Sequence, residues 1–130
     1  MRKNWPTVKA AALAFPFLLI GYLHAMAAES RTALPMIEVE ATENGVAVIG
    51  RVVALTDGNY TSRMTIERTG TSGKTATTQG ADSLLDAGQT ANVARVGLSM
   101  APGDALVVEM VVSADGQRIA STSLTVGGPR

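Results

Sequence analysis

Apolar and polar side chains alternate along most of the chain beyond residue 35. Ile37, Val39 and Ala41 interleave with Glu38, Glu40 and Thr42. A period of two over that length predicts a half-buried strand over 36–43. Asn44-Gly45 follows, a strong hairpin signal because both turn residues tolerate positive φ. A second strand is expected over 46–55, with Gly50 and Arg51 breaking its alternation as a bulge would. After the turn Thr56-Asp57-Gly58-Asn59, a third strand over 60–68 turns Tyr60, Ser62, Met64 and Ile66 inward and Thr61, Arg63, Thr65 and Glu67 outward.

The loop Gly70-Thr-Ser-Gly73 leads to a short, threonine-rich strand over 75–79, the best candidate for a sheet edge. A connection over 80–88 then lets Leu84 and Leu85 plug the open end of the core. A fifth strand is expected over 90–98 and a sixth over 105–114, with Leu106, Val108, Met110 and Val112 inward and Glu109 outward. The tight turn Asp115-Gly116 introduces the last strand, over 118–126. No window has a helical period. Seven short strands spaced about ten residues apart describe an all-β, seven-stranded immunoglobulin-like Greek-key β-sandwich, with an ordered core over about 36–126. A small barrel is the competing architecture. The Cys…Trp…Cys core of antibody domains is absent, so the core is built from Val, Ile, Leu, Met and Ala. Tyr60 is expected to be a core or corner tyrosine whose hydroxyl finds a backbone partner.

The first thirty residues have a different pattern. Arg2, Lys3 and Lys9 precede a long apolar run, which ends in Ala25-Met26-Ala27. A basic start, an apolar stretch and small residues at the exit make an N-terminal signal peptide over 1–27, cut after Ala27. An uncleaved membrane anchor is the alternative, although Pro16, Tyr22 and His24 interrupt the run. The expected product is a periplasmic domain over 28–130 with no membrane contact once the signal is removed.

Cleavage changes the chemistry available. Removing Arg2, Lys3 and Lys9 leaves eight basic residues against eleven acidic ones, a net charge of −3. That balance argues against a nucleic-acid partner, which calls for a basic face. Beyond residue 28 there is no Cys, His, Trp or Phe, and Tyr60 is the one aromatic. A Ser-His-Asp relay, zinc, haem or iron–sulfur ligation and a platform of stacking aromatics are thereby excluded. The chain is expected not to be an enzyme and to carry no cofactor and no metal. Glu38 and Glu40 face outward together but lack a third ligand nearby. Met64 and Met110 fall on inward faces, where they fill the core rather than join Met36 and Met100 in holding copper(I). The glycine loop at 70–73 opens no helix and lacks the spacing of a phosphate cradle.

Three segments carry a family resemblance: Arg68-Thr-Gly70-Thr-Ser-Gly73-Lys-Thr-Ala-Thr-Thr-Gln79-Gly80, then Leu85-Asp-Ala-Gly88-Gln, then Asp115-Gly-Gln ahead of the terminal strand. Together they resemble the curli assembly proteins of the CsgH type, relatives of CsgC, over roughly residues 37–126. Ala81 and Ser83-Leu84 stand where that family commonly has a second glycine and a phenylalanine. The Cys-x-Cys pair of CsgC has no counterpart here, so no redox role attached to it applies. The resemblance implies an immunoglobulin-like periplasmic chaperone that keeps the major curli subunit, a CsgA-like amyloidogenic protein, from forming fibres before secretion. The chain is expected to act as a monomer. A sandwich with short, polar, charged edges suits that task, because such edges resist continuation by a growing fibril.

On that reading, outward basic residues are the candidates for contacting the polar subunit: Arg63 on the third strand, Arg51 and Arg95 on the second and fifth, and Arg68 and Lys74 flanking the glycine loop. The plainer reading is solvated strand charge, with Arg63 paired to Glu109 across strands. The alternative function is a structural immunoglobulin-like module of a fimbrial or cell-envelope assembly. Against a donor-strand pilin, Glu29-Ser-Arg-Thr-Ala-Leu34 is short and polar. A carboxylate hydrolase is a distant third.

Overall fold

Each expected period-two segment becomes a strand. A computed structural model describes residues 32–71 and 73–128. In it the chain forms β1 (Ala33–Thr42), β2 (Gly45–Ala54), β3 (Gly58–Gly70), β4 (Gly73–Leu85), β5 (Thr90–Ser99), β6 (Ala105–Ala114) and β7 (Gln117–Gly127). The export segment read over 1–27 lies outside the described residues. The strands pair antiparallel in two open sheets, β1-β2-β5 and β4-β3-β6-β7. Two sheets with free edges make a sandwich rather than the alternative barrel. β4 pairs with β3 instead of β5, so the partition is three plus four, unlike the four-plus-three of antibody constant domains.

The inward parity of β3 and β6 builds the core. Tyr60, Met64 and Ile66 face Leu106, Val108, Met110 and Val112, and all are essentially inaccessible to water. Met64 sits directly opposite Met110, and Val48 and Val52 of β2 close the core from the other sheet. Burying one such side chain contributes about 1.5–3 kcal/mol. The register does shift between Gly50 and Arg51, but the unpaired residue is Val93 of β5, so the bulge expected in β2 lies on its neighbour and β2 keeps its alternation and pairs with β1 unbroken.

Three other local expectations are corrected. Thr42 pairs with Gly45, so the first turn is Glu43-Asn44 rather than Asn44-Gly45, and no positive φ occurs in it. Glycine is required at position 45 for another reason: a Cβ there would run into the carbonyl oxygen of Leu98 on β5. At the second tight hairpin, Asp115 (φ 53°) and Gly116 (φ 78°) do take positive φ between Ala114 and Gln117, the conformation of a type I′ turn. The fourth strand is not short: it runs thirteen residues and absorbs most of the segment read as a connection. Leu85 plugs the core as expected, but Leu84 points the other way and is 82% exposed.

Candidate functional site

Side chains on the outer faces of the two sheets present very different chemistry. On the three-stranded sheet, Glu38 and Glu40 of β1 lie opposite Ile49 and Ala47 of β2, and Ile49 lies opposite Arg95 of β5. Arg51 donates to the Glu38 Oε1 at 2.6 Å and, through Nε, to the Asn92 Oδ1 at 3.2 Å. Arg95 donates to the Glu40 Oε1 at 3.1 Å. The two ion pairs roof Ile49 and Ala47, which are buried although they face outward. Charge on this face is neutralised within the domain.

Two more of the basic candidates are engaged as well. Arg68, at the inward end of β3, bridges the sheets: it donates to the Ser99 carbonyl on β5 at 2.9 Å and to the Thr75 hydroxyl on β4 at 3.0 Å. Lys74 lies 3.5 Å from Glu67 in an exposed pair.

Arg63 differs from the other four. It is exposed on the outer face of the four-stranded sheet and has neither an ion pair nor a hydrogen bond among the described residues. Its cross-strand neighbour is Val111, and Glu109 lies opposite Thr65, one step along. The Arg63–Glu109 pairing of the plainer reading is therefore not formed. A hollow of about 370 Å³ opens beside Arg63, lined by Thr61, Thr65, Glu109, Val111, Ser113 and Arg118. Arg118 is exposed and likewise lacks an ion pair among the described residues. Two unpaired guanidinium groups around hydroxyls make a surface that accepts carboxylates and carbonyl oxygens.

Sequence reasoning passed over Arg118. The signal for it was present: a two-residue turn at Asp115-Gly116 pairs Ser113 with Arg118, and Ser113 shares the outward parity of Glu109 and Val111. For metal chemistry, no three His, Cys, Asp or Glu side chains converge among the described residues. Met64 and Met110 are core, and Met36 is an exposed residue of β1.

No protein-family model matches the chain, and no curated protein matches it by sequence. Solved structures do. The chain is similar to the solution structure of CsgH from R. palustris, with a TM-score of 0.57 and 17% identity over 74% of this chain and 92% of CsgH. It is also similar to the E. coli curli protein CsgC, with a TM-score of 0.59 and 20% identity over 72% of this chain and 97% of CsgC. Each match takes in nearly the whole of the smaller protein. The fold expected from the CsgH-type resemblance is the fold these structures share with the chain.

Proposed function

We propose that this protein is a periplasmic, non-enzymatic binding protein of the curli system that holds an amyloidogenic, CsgA-like subunit back from fibrillation. The observation that carries this reading is the match of its seven-stranded sandwich to nearly the full lengths of CsgH and of the curli protein CsgC. The motif resemblance over 68–80 and 85–89 supports it independently. So does the signal-like pattern over 1–27, which would deliver the domain to the periplasm. The outer face around Arg63 and Arg118 offers unpaired cations and hydroxyls to a polar chain and no aromatic anchors.

The test is a thioflavin assay of purified major curli subunit with and without residues 28–130. A lengthened lag phase is expected. An unchanged lag at equimolar inhibitor would exclude the reading.

A further inference from the structure

Free sheet edges are ordinarily blunted by proline, charge, a bulge or shortness. β1 carries Pro35, Glu38 and Glu40, and register shifts interrupt the β2–β5 and β6–β7 ladders. β4 has none of these defences at its centre. It ends its sheet, its thirteen residues pair with β3 without a shift, and residues 75–81 contain neither proline nor charge.

The pairing also sets which backbone groups are free. Gly70 and Gly73 close the hairpin across a two-residue turn, which makes them a hydrogen-bonded pair; alternation then assigns Thr75, Thr77, Gln79 and Ala81 to β3. Ala76, Thr78 and Gly80 direct their N–H and C=O groups away from the sheet. At the ends of this stretch, Lys74 is paired with Glu67, and Asp82 accepts a 2.9 Å hydrogen bond from the Thr61 hydroxyl.

Gly80 lies opposite Arg63 in the register. Arg63 lines the hollow shared with β6 and β7; with no side chain at Gly80, nothing in that row blocks this exposed side chain from turning across β4 to the open edge. A strand docked on β4 would place one residue about 10 Å from the Arg63 Cα, two strand spacings away. An extended arginine and a short acceptor side chain span that gap between them.

We propose that the edge from Ala76 to Gly80 is a strand acceptor. An extended partner segment of uncharged polar residues adds to it as the fifth strand of the four-stranded sheet. Arg63 reads the residue facing Gly80, favouring a carboxamide or carboxylate over a cation. The small neutral side chains of Ala76, Thr78 and Thr77 suit Ser, Thr, Asn and Gln neighbours, and leave a charged strand without partners. The proposal rests on the function above only in taking the amyloidogenic subunit as the source of that segment.

The experiment uses residues 28–130, isotopically labelled, and a seven-residue Ser/Thr/Asn/Gln peptide with Gln at its centre. Slowed amide exchange is expected at Ala76, Thr78 and Gly80. Thr78→Pro removes an N–H that β3 does not use, so the fold should hold, and peptide affinity should fall about tenfold. Gly80→Thr, which closes the gap beside Arg63, should erase the preference for central Gln over central Lys. Unchanged amide exchange with saturating peptide, or full affinity in folded Thr78→Pro, would overturn the proposal. So would a concentration-dependent dimer abolished by Thr78→Pro, since the occupant would then be a second copy. The peptide arm decides the matter even if the protein has no effect on curli fibrillation. Conversely, a Thr78→Pro variant that still delays fibrillation as well as the parent would remove the edge and leave the function standing.

Discussion

The Tyr60 hydroxyl donates to the Thr56 carbonyl at 2.6 Å, with the Thr32 carbonyl also within reach at 3.1 Å. The Thr56 hydroxyl lies 3.1 Å from the Tyr60 hydroxyl oxygen and accepts the Thr32 N–H. One buried phenol therefore ties the start of β1 to the β2–β3 turn. Tyr60→Phe keeps the ring and deletes the tie, leaving the half-buried Thr56 carbonyl without this donor, while the Thr32 carbonyl keeps the Leu55 and Thr56 N–H groups. The expected loss is about 1–2 kcal/mol, read as a lower urea midpoint with an unchanged slope. An unshifted midpoint would show that the ring alone matters.

How far the sequence revealed the fold varies from strand to strand for physical reasons. In β6 every second residue is large and apolar, and in β3 only the buried Ser62 interrupts that row, so parity alone assigned Tyr60, Met64, Ile66, Leu106, Val108, Met110 and Val112 to the core, where they lie. β4 gives no such signal. Its sandwich-facing residues are Thr77, Gln79, Ala81 and Ser83, because an edge strand covers only the margin of the core. The chain past Gln79 therefore looked like a loop, and the Leu84-Leu85 pair looked like a plug. In the site, parity placed Arg63 on the outer face correctly. It could not show that Arg51, Arg68, Lys74 and Arg95 are engaged, because those bonds depend on register and side-chain reach between strands distant in sequence.

Inhibition should be indifferent to metal and thiol chemistry. Beyond residue 28 the chain has no Cys and no His. Lag times measured with the chelator EDTA, with dithiothreitol and with iodoacetamide are expected to match untreated inhibitor, each against a subunit-only control. Loss of inhibition on chelation, with the circular dichroism spectrum intact, would reveal a required ion.

The protein should work well below one copy per subunit. Exposed large apolar residues, among them Leu34, Met36, Leu55, Leu84 and Val107, are divided between different faces and ends of the sandwich. That is not the broad apolar patch with which a holdase coats unfolded chains. Action on nuclei or fibre ends requires few copies. A titration of lag time against inhibitor should therefore show delay at ratios of about one to a hundred. A delay that begins only near equimolar would indicate sequestration of single subunits.

The arginines should separate into two classes. Arg51 and Arg95 are held by Glu38 and Glu40 on the three-stranded sheet, so their charge is already answered within the domain. Arg63 and Arg118 border the hollow on the four-stranded sheet without carboxylate partners. Replacing Arg63 and Arg118 together with Ala is expected to shorten the lag that the inhibitor produces and to leave the unfolding midpoint almost unchanged. Replacing Arg51 and Arg95 should do the reverse: inhibition persists, while stability falls by about 0.2–1 kcal/mol per exposed pair. Raising salt from 0.1 M to 1 M shortens the Debye length from about 10 Å to about 3 Å, and should weaken the parent protein towards the level of the Arg63 and Arg118 double variant. Each salt point needs its own subunit-only control, because salt also changes the subunit's fibrillation. Equal inhibition by both double variants, at low and high salt alike, would mean that the encounter is not steered by charge and would leave backbone pairing at the edge of β4 as its basis.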